Sequence, residues 1–374
     1  MSQINTLIKP TNNCNLRCKY CFHEKYGYNN KLLEMDILKK YIILLSEKYK
    51  HINIIWHGGE PLTVPMTYYE EIYDFCSNID ATFTYSLQTN GTLLNQEKID
   101  FFRKNETNIG LSFDGLGNEF MRTSTDKILK NIELLKQNGF YPGAIIVINQ
   151  NNVNKLIEEY NYFKSLDLGM KLNPMFNDGA VIKNKFLYLN PNEYISNFIN
   201  FFKYWANDKE CNINVLTCEE IVNLIVHESS RVCTFNSCLG KWLCLDSNGT
   251  LYPCDRLCLE DYNLGDVSKI NSIEEIFYNS NFFKLLQGSI IRRNNCINSC
   301  EFYKNCYSGC NANAILEGNL EYRSSCIQKE ILKEIKEFIF TTKLNLENMN
   351  SNYSKILRRW VGWSMYIMEV IYLI

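Results

Sequence analysis

The sequence predicts an α/β protein: a partial (β/α)6 barrel of TIM type, followed by a smaller, loop-rich domain that holds metal through cysteine. Three observations predict it. Short apolar runs rich in Ile, Val, Phe and Tyr alternate with longer stretches of helical period from residue 4 to about residue 172. Each run ends in polar or glycine-rich residues, and in parallel α/β folds the loops after strand carboxyl ends hold the chemistry. Sixteen cysteines fall unevenly, some near the start and more after Cys211.

The period places strands over 4–8, 52–56, 82–87, 109–113, 144–148 and 170–172. Helices are expected between them over 33–47, 66–77, 96–104, 126–138 and 153–166. The loops 14–21, 58–61, 88–91 and 112–115 then all open at one end of the sheet. Residues 1–205 form the barrel, 206–232 a helical bridge, 233–330 the cysteine domain and 331–374 a helical tail. Helices are expected over 191–207, 219–227 and 329–342, and a polar linker over 345–354. Residues 233–326 read as loop-rich, with too few apolar residues to fold without metal. The apolar segment 360–374 is too short for a comfortable membrane span; it reads as a packed helix, with a membrane-surface helix as the second reading.

Lys and Arg number 39 against 41 Asp and Glu, a net charge of -2 with no long run of one sign, which argues against an electrostatic grip on nucleic acid. Residues 1–10 lack the apolar core of a secretory signal, so a cytoplasmic protein is expected. Cytoplasmic thiols stay reduced, and clustered cysteines there read as metal ligands before disulfides.

After the first strand comes Cys14-x3-Cys18-x2-Cys21. Three thiolates can hold three irons of a [4Fe-4S] cluster and leave the fourth iron open for another ligand. A zinc site would want a fourth ligand such as His23, and usually a second knuckle. Further on, Cys238, Cys244, Cys254, Cys296, Cys300, Cys306, Cys310 and Cys326 supply eight thiolates, the requirement of two fully ligated clusters.

With Tyr20 before its last cysteine, the first motif resembles that of the radical S-adenosylmethionine (SAM) enzymes. The resemblance implies that SAM chelates the open iron and is cleaved to a 5'-deoxyadenosyl radical, which takes a hydrogen from substrate. His57-Gly58-Gly59-Glu60-Pro61 resembles the family's GGEP loop, which meets the SAM ammonium; its glycines allow close backbone approach. The loops 88–91 and 112–115 resemble those lining the SAM and substrate cavity. They carry Asn90 to the nucleoside side and Ser112 to the SAM carboxylate. Where relatives use an arginine for that carboxylate, the unaligned sequence offers Lys130.

The second cysteine group resembles the SPASM domain of radical SAM enzymes that modify peptides and proteins. That resemblance implies Cys238, Cys244, Cys254 and Cys310 on one auxiliary cluster, and Cys296, Cys300, Cys306 and Cys326 on another. The step from Cys296 to Cys300 is one residue longer than the CxxC common in relatives. Of the remaining cysteines, Cys76 reads as helical core, while Cys233 and Cys258 lie close enough in sequence to substitute as ligands or approach substrate. Asp255 stands where anaerobic sulfatase-maturating enzymes, which the chain resembles along its length, carry a candidate general base; the bland reading is a surface Asp paired with Arg256.

The resemblance implies a peptide or protein substrate and a reductant such as flavodoxin or ferredoxin. His57 before the glycines differs from the Gln expected in many sulfatase-maturating relatives. It favours a maturase that closes a thioether or carbon-carbon crosslink in a ribosomally made peptide over conversion of Cys or Ser to formylglycine. The start at strand one leaves recognition to the barrel, the SPASM domain or a partner. A zinc-binding adaptor without activity is the reading from another class.

Overall fold

The structure, a computed structural model, describes residues 2–28, 30–175, 178–321 and 326–341. The linker over 345–354 and the apolar segment over 360–374 lie outside these residues. Six parallel strands, β1 (Gln3–Ile8), β2 (His51–Trp56), β3 (Thr82–Thr89), β4 (Asn108–Ser112), β5 (Gly143–Ile148) and β6 (Gly169–Pro174), pair in sequence order. Helices α1 (Met35–Lys48), α2 (Met66–Ser77), α3 (Gln96–Lys104), α4 (Asn118–Met121), α5 (Thr125–Gln137) and α6 (Leu156–Ser165) fall between them. The partial barrel expected from the sequence is present, and its sheet is not closed.

The other edge of β1 is taken by β7 (Trp242–Leu245), parallel to it, and β8 (Thr250–Tyr252) and β9 (Gly265–Asp266) follow antiparallel. The sheet therefore runs on into the cysteine-dense region as β6-β5-β4-β3-β2-β1-β7-β8-β9. Next in the chain come α7 (Pro191–Asn207), α8 (Leu216–Val226), α9 (Ser280–Ile297), α10 (Tyr303–Cys306), α11 (Asn311–Leu316) and α12 (Ile327–Thr341). The 18-residue α9 is a departure from the loop-rich reading of residues 233–326. Its buried stripe is Phe282, Leu285, Gly288 and Arg292, and the glycine and arginine hide the apolar period. Arg292 is buried because carbonyls of Ser308 and Leu320 take its N–H groups, at 3.2 and 2.5 Å.

Alternation along the strands sorts two faces. Ile4, Ile8, Ile52, Ile54, Trp56, Leu243 and Leu245 join the helices in the main core. Residues of the opposite parity face the barrel interior, where Leu7, Ile55, Trp242, Cys244, Tyr252 and Cys258 form a separate cluster. Lys9 and His57 continue the same parity past the carboxyl ends of β1 and β2, as Asp246 does past β7, so polar groups gather at the mouth.

Behind β4, Glu159 of α6 is buried, and its Oε2 accepts from the Leu116 amide at 2.9 Å. Burial lifts its carboxyl to about 7. The folded chain then binds more protons than the unfolded one between the ordinary value of 4.5 and about 7. Stability is expected to fall across that window as pH rises, by up to about 3 kcal/mol, and then to level off. Urea midpoints at pH 5 and pH 7.5 should separate less in Glu159→Gln, which keeps the acceptor, than in the wild type; the remaining difference comes from Glu219, which burial also lifts to about 7.

Candidate active site

The cysteine loop and the glycine loop are laced together by their backbones. Gly59 N donates to Thr11 O at 3.1 Å and Glu60 N to Asn13 O at 2.7 Å. A Cβ on Gly59 would lie 2.0 Å from Asn13 O, and one on Gly58, at φ +122°, 2.5 Å from Thr11 O. No side chain fits at either position without moving the strand-one loop. Glu60 is buried and fully engaged: Oε1 accepts from Leu62 N at 3.0 Å and Thr89 Oγ1 at 2.7 Å, Oε2 from Asn90 N at 2.8 Å. What this loop offers a ligand is backbone, with Pro61 opening a buried turn behind it.

Asn90 faces the cysteine loop. Its Nδ2 donates to Asn15 Oδ1 at 3.0 Å and lies 4.0 Å from Cys14 Sγ. Ser112 Oγ accepts from Gln88 Nε2 at 2.8 Å. Asp114 is wholly buried; it takes the Tyr20 hydroxyl and the Val147 amide, the latter at 3.0 Å. Arg122 Nε reaches Asp114 at 2.9 Å and Tyr20 at 2.6 Å, and its Nη1 stands 3.7 Å from Cys18 Sγ. Lys130 is exposed on α5. The cation beside Cys18 is Arg122, which sequence reasoning missed; its only signal was its place just past the 112–115 loop.

Burial pushes the Cys14 thiol up to about 12 and the Cys18 thiol up to about 11, with Arg122 pulling the latter down. Each also feels Cys21. Desolvated thiols at Cys14 and Cys18, each repelled as an anion by Cys21, call for positive charge among them, which an iron-sulfur cluster supplies. The residues present fit that group.

The interior mouth is polar. Lys9 Nζ donates to Cys258 Sγ at 3.1 Å and pairs with Asp246 Oδ2 at 3.5 Å. Burial opposes its charge, but Cys258, Cys244, Asp246 and Asp255 outweigh it and hold the ammonium well above its ordinary range. His23 and His57 are both pushed down by burial, so the rings are neutral at pH 7. Their centroids are 5.6 Å apart. Burial also lowers Lys171 of β6, against the pull of Cys233, Glu220 and Asp255. Asp255 accepts from Cys254 Sγ at 3.3 Å, while Arg256 turns to Asn313 Oδ1 at 2.7 Å and lies 3.7 Å from Cys310 Sγ.

Among the later cysteines, Cys238 feels Cys233 and Cys310 most strongly, and Cys254 feels Cys310. Cys244 instead packs against Cys258, Sγ to Sγ 3.8 Å, inside the barrel. Cys300 feels Cys326. Cys296 ends α9, its carbonyl accepting from Cys300 N at 3.0 Å, and Cys306 lies buried in α10 beside Phe302. Cys76 is core, as its helical position suggests.

Residues 8–162 match the family model described as the radical SAM superfamily. Residues 8–162 therefore form a radical SAM domain. Radical SAM chemistry rests on a [4Fe-4S] cluster and SAM. The chain is 26% identical over 335 residues to a cysteine-type anaerobic sulfatase-maturating enzyme of Clostridium novyi, covering 84% of this chain and 89% of that one. It is 26% identical to the radical SAM cyclopropyl synthase TigE of Paramaledivibacter caminithermalis, over 80% of this chain and 66% of that one. In fold it is similar to native anSMEcpe with bound AdoMet and Cp18Cys peptide, at a TM-score of 0.77 and 22% identity, covering 94% of this chain and 99% of that one. Among the described residues, no helix is long and apolar enough to cross a membrane.

Proposed function

We propose that this radical SAM enzyme modifies a side chain or backbone carbon of a ribosomally made peptide, closing a thioether or carbon-carbon crosslink. The observation that carries the reading is the pocket wall: His57 and His23 stand with Asp255 at the barrel mouth, beside the cysteine and glycine loops. When bound, the cluster and SAM supply the radical that takes the substrate hydrogen. Cys14, Cys18 and Cys21 hold that cluster. The backbone of Gly58, Gly59, Glu60 and Pro61 receives the SAM amino end, with Asn90 on the nucleoside side and Ser112 and Arg122 toward the carboxylate. Asp255 accepts the proton that the substrate loses.

Two auxiliary clusters, when bound, would supply an acceptor for the substrate's electron. Cys238, Cys254 and Cys310 hold the first, and the thiol that joins them is Cys233 rather than Cys244, which is turned to Cys258. Cys296, Cys300, Cys306 and Cys326 hold the second. The functional units are residues 1–205, 206–232, 233–330 and 331–374, the reductant is a flavodoxin or ferredoxin, and the compartment is the cytoplasm. Similarity over most of both chains to the Clostridium novyi enzyme favours a second reading, oxidation of Cys or Ser to formylglycine.

Mass spectrometry separates the two. Short cysteine-rich peptides encoded beside the gene, and Cys or Ser peptides from a sulfatase, are incubated with SAM and dithionite. Loss of two hydrogens with sulfur retained and no aldehyde trapped supports the crosslink; a hydrazine-reactive aldehyde on the sulfatase peptide replaces it with the second reading. In either case Asp255→Asn should lower peptide turnover about 10² to 10⁴-fold, while deoxyadenosine formed without peptide stays measurable.

A further inference from the structure

We propose that His23, His57 and Asp255 form a mononuclear site for a divalent transition-metal ion of the cobalt to zinc class, whose open positions hold a thiolate of the substrate. The proposal rests on the reading of this pocket as the place where a peptide is modified, and it names the group that anchors that peptide.

One ligand atom from each of the three side chains lies within 4.8 Å of the other two. Ligands bonded tetrahedrally at about 2.0–2.1 Å stand about 3.4 Å apart, so small side-chain rotations close the set. The three come from separate segments and not from one local turn. His23 lies in the 3₁₀ turn Phe22–Tyr26 directly after Cys21. His57 follows β2, its backbone N donating to Ile8 O at 3.0 Å. Asp255 opens the 3₁₀ turn Asp255–Leu257 after Cys254.

His57 Nδ1 is buried with no hydrogen-bond partner. A buried polar atom left so costs stability unless something satisfies it, and an ion facing the ring would. Two imidazoles and one carboxylate are a ligand set that leaves positions open for substrate. A cysteine thiol entering the open position exchanges its S–H bond for an S–metal bond, its proton passing to the uncoordinated carboxylate oxygen of Asp255 and from there to solvent. No oxidant or reductant is consumed. The substrate sulfur is then fixed in the mouth of the barrel, between the SAM-binding loops and the first auxiliary thiols.

Cobalt(II) is the probe. It is added to anaerobically reconstituted holoenzyme with oxidised, diamagnetic clusters, and low-temperature EPR is read after gel filtration, with iron, sulfide and deoxyadenosine measured on the same sample. The wild type should retain about one high-spin cobalt per chain, and a cysteine peptide should shift its signal where the serine version does not. His57→Ala and His23→Ala should each weaken cobalt binding at least about tenfold with cluster iron unchanged. His57→Gln, closer in size, replaces the alanine variant if that variant loses iron. A wild type that retains no cobalt, or variants that retain as much, overturns the metal site; so does a signal indifferent to the cysteine peptide, for the sulfur-anchoring role. Peptide modification by cobalt-free and zinc-free enzyme sinks the metal site alone, whereas bound cobalt with no peptide ever modified sinks the crosslinking reading alone.

Discussion

Replacing Cys14, Cys18 and Cys21 together with alanine brings deoxyadenosine formation down to the cluster-free blank and removes about four irons per chain. Iron held by the proposed auxiliary thiols should stay, because those thiols belong to elements the first loop does not build. Cys233, Cys238, Cys254 and Cys310 surround the turn after β8, and Cys300 and Cys326 sit beyond α9. The check is iron, sulfide and zinc analysis beside a deoxyadenosine assay. Undiminished SAM cleavage in the triple variant would remove the radical site from this loop. Zinc in place of iron in the wild type would remove the radical mechanism from the chain.

Gly59→Ala should be nearly as damaging without touching a thiol. The new methyl would sit 2.0 Å from Asn13 O and 2.5 Å from its carbonyl carbon, a backbone obstacle that no rotamer change relieves. The loop must move, and the hydrogen bonds from Gly59 and Glu60 to residues 11 and 13 break with it. Overpacking of this kind costs roughly 1–3 kcal/mol or more, concentrated on the segment that leads into Cys14. Loss of the SAM-induced change in the reduced cluster's EPR signal is the expected readout. Gly117→Ala is the control: its φ is −87°, and the nearest atoms to a Cβ there lie 4.0 Å away. A Gly59→Ala enzyme that cleaves SAM at the wild-type rate would show that the lacing is dispensable.

The barrel was legible because its signals are local. Helices over 66–77, 96–104 and 191–207 end where their periods and caps say, as with Asn190 accepting from Asn192 N at 2.9 Å ahead of Glu193. The spacing of Cys14, Cys18 and Cys21 is likewise local. The wall of the pocket was not. Cys244 reads as one more member of a cysteine series, yet its direction is fixed by the register of β7 on β1, a partner more than two hundred residues away. Cys233 lies in a turn whose neighbour, Cys310, comes from beyond α10. Lys9 carries no signal in the sequence; it is a buried hub because Asp246 and Cys258, more than two hundred residues further along the chain, are brought to it on the neighbouring strand and its continuation. His23 was weighed only as a fourth zinc ligand for the cysteine loop, and the chain folds it toward His57 instead.

The pairing of β1 with β7 also sets the order of events during synthesis. Asn5 faces Trp242 and Leu7 faces Cys244, so one edge of the first strand stays open until those late residues leave the ribosome. Closing so long a loop is slow, and such non-local pairing delays folding. Over that interval the chain has translated Cys14, Cys18 and Cys21 but lacks Asp246, which binds Asn12 at 2.9 Å beside that loop. For most of the chain's synthesis the nascent cysteine loop therefore stands without this contact, which forms only when the cysteine-rich half docks.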